Sequence, residues 1–142
     1  MKATPKRGSV LSEWRQEVLD KLHAYSGFSV ETHETGVAVR CQNADSFEVS
    51  VFYLGEAYQV NFAGWHEHFD ALADALNCFA FGLSEECRLK VLTRGRMDCS
   101  WTVQSMEDGE WVDDSTTGLL IVPFWRPVRT RYLQNKLEKL GQ

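Results

Sequence analysis

Residues Asn61–Leu83 read NFAGWHEHFDALADALNCFAFGL, and the fold turns on how this stretch is understood. Trp65, Phe69, Leu72, Leu76 and Phe79 recur at the helical spacings of three and four. Ala73 and Ala80 fall at the edge of that stripe, while His66, Asp70, Asp74 and Asn77 fall opposite it. Gly64 suits the start of a helix, with Glu67 against its first-turn amides. Gly82 suits its end, in the left-handed conformation that glycine adopts cheaply. The pattern predicts one long central helix of about four to five turns with an aromatic face. That face needs an apolar sheet to lie on.

The flanks supply the strands. Upstream, Ser9 or Ser12 is placed to cap a first helix that runs to about Ser26. Leu11, Trp14, Val18, Leu22 and Tyr25 form its apolar stripe, and Arg15 snorkels along it. Residues 1–8 are expected to be a flexible N-terminus, leaving 9–142 as a single α+β domain. Phe28–Thr32 has the composition to start a short strand, broken around Glu34-Thr35-Gly36, and the first strand of a three-strand meander is expected at Val37–Cys41. Alternating runs follow at Phe47–Tyr53 and Ala57–Phe62.

Downstream of Gly82 the period returns to two. Cys87, Leu89 and Val91 face one way, and a turn at Arg94-Gly95-Arg96 leads into a strand over Met97–Met106. Asp108-Gly109 is the strongest turn dipeptide in the chain, and Glu110–Asp113 pairs back across it. Asp114–Gly118 reads as a polar turn. Leu119–Trp125 is apolar on both faces and reads as a central strand, until Pro123 disturbs its pairing. Val128–Leu140 fits a terminal helix better than a strand. The expected order is α-βββ-α-ββββ-α: an α+β fold with a single curved antiparallel sheet packed on the central helix.

Hydrophobic residues make up 44% of 142 residues, which suits one domain with a real core. The first residues are basic but lack an apolar segment of secretory type, and no run is long enough to span a membrane. The expected compartment is the cytoplasm, with no membrane partner. Cys41, Cys78, Cys87 and Cys99 stand singly, without a CxxC pair, and read as reduced thiols. The net charge of −5 is unevenly spread. Cys41 to Cys87 holds eight carboxylates and no Lys or Arg, whereas Arg126, Arg129, Arg131, Lys136 and Lys139 crowd the tail. Either these regions neutralise each other, or the molecule has an acidic face for a basic partner.

Three stretches carry possible chemistry. His66-Glu67-His68-Phe69-Asp70 resembles the HxHxD metal signature of metallo-β-lactamase-fold hydrolases over five residues. The histidine that would follow the aspartate in that family is Ala71 here. On a helix, His66 and His68 would also point about 200° apart, so no metal or other cofactor is expected. His66, His68 and Asp70 with Tyr58 remain candidates for a polar pocket. The hairpin Glu107–Asp114 gathers five carboxylates in an order that does not fit a calcium loop. Trp125 to Tyr132 mixes aromatic and basic residues as single-strand binders do, but the chain is acidic, and no nucleic acid is expected.

No nucleophile elbow, phosphate loop, dinucleotide fingerprint or zinc-protease motif occurs. The reading favoured is a small acidic binding protein without catalysis. In size and acidity it resembles the immunity proteins with which bacteria neutralise toxins. Asp108, Glu110, Trp111, Asp113 and Asp114 would form its interface with a basic protein. The alternative is a ligand-binding or enzymatic cone whose element order resembles cystatin-like and NTF2-like folds.

Overall fold

The computed structural model describes residues 7–141, with side chains from Glu13 onward. Two helices and eleven strands follow in the order α1 (Arg7–Leu22), β1 (Tyr25–Ser26), β2 (Phe28–Thr32), β3 (Gly36–Cys41), β4 (Val49–Tyr53), β5 (Tyr58–Phe62), β6 (Trp65–Phe69), α2 (Leu72–Leu83), β7 (Cys87–Arg94), β8 (Met97–Glu107), β9 (Glu110–Gly118), β10 (Val128–Leu133) and β11 (Glu138–Lys139). They form a five-stranded meander β2-β3-β4-β5-β6, a four-stranded sheet β10-β7-β8-β9 and a small β1-β11 pair. All pairings are antiparallel. The fold is thus α+β and antiparallel, but the expected single curved sheet is divided into three, and the order α-βββ-α-ββββ-α is replaced.

The long central helix is the main correction. Its first third is strand β6, paired to β5 from Phe62↔Trp65 to Tyr58↔Phe69. A spacing of four cannot tell the two structures apart here. Trp65 and Phe69 share a face after one helical turn, and equally after two strand repeats. Ala63-Gly64 is the two-residue turn of the hairpin, with Ala63 in the left-handed region at φ 52. A Cβ on Gly64 would come within 2.3 Å of the Trp101 ring, so glycine permits the close approach of β8. The remaining helix, α2, buries Ala75, Phe79, Gly82 and Leu83. Gly82 lies inside it and does not end it. A Cβ there would meet the Phe62 ring at 2.3 Å. Ser84 closes the helix instead, its hydroxyl donating to Phe81 O at 2.7 Å.

Other boundaries move for equally local reasons. Helix α1 already includes Arg7 and Gly8 and ends at Leu22, before the expected Ser26. Residues 1–6, expected to be flexible, and the side chain of Leu11 lie outside what is described. Trp14, Val18 and Leu22 are buried as the stripe requires, but Tyr25 is exposed on β1. Asp114–Gly118 continues β9. Leu119–Trp125 is no central strand but a loop without regular structure. Val128–Leu133 is strand β10 against β7, and β11 replaces the rest of the expected terminal helix.

One apolar core joins α1, α2 and the inner faces of β3, β4, β5 and β7, with Phe62 and Leu89 among its fully buried side chains. Asn135 is also fully buried. Its Nδ2 donates to Gly82 O at 3.0 Å, and its Oδ1 accepts from Phe47 N at 3.0 Å. The C-terminal segment is thereby fastened to α2 and to the approach of β4. Replacing Asn135 by Ala would strand a buried amide and a buried carbonyl, and should cost at least about 2 kcal/mol. Urea unfolding would measure this. An unchanged midpoint would mean that the bridge is dispensable.

Candidate functional site

Strand β6 carries the histidine pair. On a strand, residues two apart share a face, so His66 and His68 point the same way, contrary to the expectation from a helix. Their ring centroids lie 5.9 Å apart at 77°, and both residues are exposed. They stand in register with Asn61 and Gln59 of β5. Gln59 Nε2 donates to Asn61 Oδ1 at 2.7 Å, and Asn61 Nδ2 donates to Ser50 Oγ at 3.0 Å. This is a polar outer face of the first sheet. Asp70 follows the strand end and is exposed.

Tyr58 belongs to the opposite face. It alternates with Gln59 and packs its ring edge-on to Trp14, with centroids 6.3 Å apart, and against Tyr53 at 5.1 Å. Burial first, and then the neighbouring Tyr53, raise its pKa. The sheet therefore separates Tyr58 from His66 and His68. No group of three or more His, Cys, Asp or Glu that could hold a metal occurs among the described residues. A groove of about 670 Å³ runs between α1 and α2 along Val18, Leu22, Leu76 and Phe79, away from both sets.

The hairpin Glu107–Asp114 forms as expected, with Asp108 and Gly109 at φ 50 and 82 in the turn. Its candidate residues divide into two groups. Trp111 is half-buried, with the Arg88 guanidinium 4.5 Å from its ring centroid. The same guanidinium lies 4.1 Å from the ring of Tyr132, and Arg88 Nε donates to Gln104 Oε1 at 2.8 Å. Gln104 Nε2 in turn donates to Asp113 Oδ1 at 2.7 Å, and Asp113 Oδ2 lies 3.8 Å from Lys90. Trp111 and Asp113 are thus committed to a stack and network across the second sheet. Asp108, Glu110 and Asp114 are exposed and have no ion pair among the described residues. Arg88 was invisible in the sequence, because only the cross-strand register brings it between the two rings.

The far end of this sheet is of the opposite character. The loop joining β9 to β10 exposes Leu119, Leu120, Ile121, Phe124 and Trp125, with Leu120 at 101% and Ile121 at 87% of full exposure. It is held at both ends. Leu119 N donates to Cys99 O at 2.9 Å, and Gly95 N to Pro127 O at 3.3 Å. Arg94 Nη1 reaches Phe124 O at 3.1 Å and Arg126 O at 3.3 Å. A turn is closed by Arg126 N donating to Pro123 O at 2.9 Å. Pro123 inside the run was the sequence signal against a central strand, and Pro127 follows just after it. No family model matches this chain, and no curated protein or solved structure matches it.

Cys78 and Cys87 are not poised for chemistry. Burial pushes Cys78 up to about 12, helped by the charges of Glu67 and Asp114. Burial likewise pushes Cys87 up to about 12, with Cys78 and Asp114 adding to it. Nucleophilic catalysis needs the thiolate, which is scarce in both near neutrality. The unfolded thiols ionise near the ordinary 9.0, while the folded ones hold their protons to about 12. Their contribution to stability is therefore complete below pH 9 and falls between pH 9 and 12. Native protein should react slowly with a disulfide reagent at pH 8, and urea midpoints should drop above pH 9. Rapid labelling of Cys78 or Cys87 in the native state would contradict this placement.

Proposed function

We propose that this chain is a binding protein that acts by association, and that its main working surface is the loop between β9 and β10. The observation that carries this reading is the exposure of Leu120, Ile121, Phe124 and Trp125 side by side. Single exposed apolar residues are ordinary, but a contiguous group marks an interaction site. Burying each such side chain favours association by about 1.5–3 kcal/mol before the costs of ordering are subtracted. The tethers to Arg94, Cys99 and Gly95 hold the group in place beforehand, so little ordering is left to do.

A second reading keeps the inhibitor-type function at the acidic tip. Asp108, Glu110 and Asp114 remain available to a basic protein there, whereas Trp111 and Asp113 serve the fold. Asp108 and Glu110 at the turn favour it, since like charges held close together repel until a partner relieves them, while Asp114 lies further along β9. Changing Asp108 and Asp114 to Asn and Glu110 to Gln together should leave the urea midpoint unchanged or higher. A drop would show that these groups have partners within the chain.

A photo-crosslinking amino acid placed at Leu120 in living cells tests the first reading. It should yield adducts to another molecule, while the same group at Thr130 of β10 yields fewer. Adducts confined to the same chain would show that the loop covers itself, and the reading would be lost.

A further inference from the structure

The loop's shape and charge restrict what it can bind. Leu120 has its whole surface in solvent and Ile121 nearly so, which makes the tip convex rather than a groove. A protein partner would need a matching pocket, whereas a bilayer receives a convex apolar tip without one. Trp125, the one exposed indole among the described residues, stands next to the tip with its ring edge-on to Phe124 at 5.4 Å. Tryptophan in that position suits the headgroup boundary, where one part of the ring is apolar and the N–H is wet.

The surrounding charge is positive. Arg94, Arg96, Arg126 and Arg129 lie at this end of the sheet, and the sequence holds no carboxylate between Asp114 and Glu138. Asp98, the nearby acid, is taken by Arg131 at 2.7 Å. Guanidinium groups match phosphate oxygens in pairs of hydrogen bonds. A second copy of the chain is disfavoured by the same charges, since a two-fold contact between loops would bring the two arginine rims together.

We propose that this loop docks on the surface of an anionic phospholipid bilayer, with Leu120 and Ile121 inserted, Trp125 at the boundary and the arginines on headgroup phosphates. The proposal rests on the reading of the loop as the binding surface and adds the chemistry of its partner. It requires no spanning segment, and no described helix is long and apolar enough to be one. Attachment through a single small apolar tip is reversible.

The test is co-sedimentation of the full chain at low salt with phosphatidylcholine vesicles, with and without phosphatidylglycerol. Binding to the anionic vesicles should be tighter by about ten-fold or more. Brominated acyl chains should quench its fluorescence, and Trp125→Phe should remove that quenching. The double variant Leu120→Glu, Ile121→Glu should lose at least about ten-fold in vesicle binding at an unchanged melting temperature. Arg126→Glu with Arg129→Glu should erase the preference for anionic lipid. The proposal is overturned if the wild-type chain stays in the supernatant with anionic vesicles, or if sedimentation velocity shows a dimer that shields Trp125 from aqueous quenchers. Protein adducts at position 120 without vesicle binding would remove the lipid and leave the docking loop. Same-chain adducts would remove both.

Discussion

The Phe62 ring fills the space left by the missing side chain of Gly82, and the arrangement of the molecule depends on that contact. Phe62 ends β5, so the contact sets how closely α2 lies on the first sheet. The same ring stacks on Trp65 at 4.6 Å across the hairpin and tilts against Phe47 at 5.6 Å ahead of β4. The neighbouring hairpin strand and two more distant segments are thus indexed to one side chain. A methyl group at Gly82 would collide with the ring rather than with a flexible chain end, and a close-packed interior has little room to yield. Asn135 then ties the carbonyl of Gly82 to the amide of Phe47, so the close approach is secured by hydrogen bonds as well as by packing.

The second sheet is placed from this core outward. Cys87, Leu89 and Val91 of β7 face inward, and Leu133 of β10 joins them. Where the sheets adjoin, Trp65 Nε1 donates to Ser115 Oγ at 3.0 Å and His66 N to Thr117 Oγ1 at 3.3 Å, linking β6 to β9. Trp101 against Gly64 completes that junction. The ends of the β8–β9 hairpin and the β9–β10 loop extend from it with few apolar contacts of their own, which is why both stay available on the surface.

Much of this was legible in sequence wherever alternation was unambiguous. β3, β5, β7 and the Asp108-Gly109 turn lie where period two and turn chemistry put them. The failures have two physical sources. Trp65 and Phe69, four apart, satisfy helix and strand alike, and only the pairing with β5 decides between them. Leu119–Trp125 is apolar on every side, which in isolation describes a strand buried on both faces. Burial is a property of the rest of the molecule, and no neighbour covers this run. For the same reason the sequence could name Trp111 and Asp113 as exposed anchors but not see Arg88 and Gln104 waiting across the sheet.

The distribution of charge now has a geometric answer. The acidic tip and the arginine-rich loop lie at opposite ends of β9, whose nine residues span about 30 Å. Screening at physiological salt decays over about 8 Å, so exposed groups at the two ends scarcely feel each other. The ion pairs of the described residues follow the same logic. Arg131 meets Asp98 and Lys90 meets Asp113 locally, and none joins the basic tail to the acidic stretch between Cys41 and Cys87. The tail nevertheless lies alongside the start of that stretch, where Gln134 N donates to Asp45 O at 2.7 Å and Lys136 N to Asn43 Oδ1 at 3.3 Å, without a direct ion pair among the described residues. Each end keeps its sign, so a molecule docking at either would meet charge of one kind. At the tip that molecule would meet mainly charge, since Trp111 is already stacked on Arg88 and only Met106 and Val112 are exposed beside it. At the loop it would meet charge and apolar surface together, and only there do long-range attraction and desolvation act on the same few side chains.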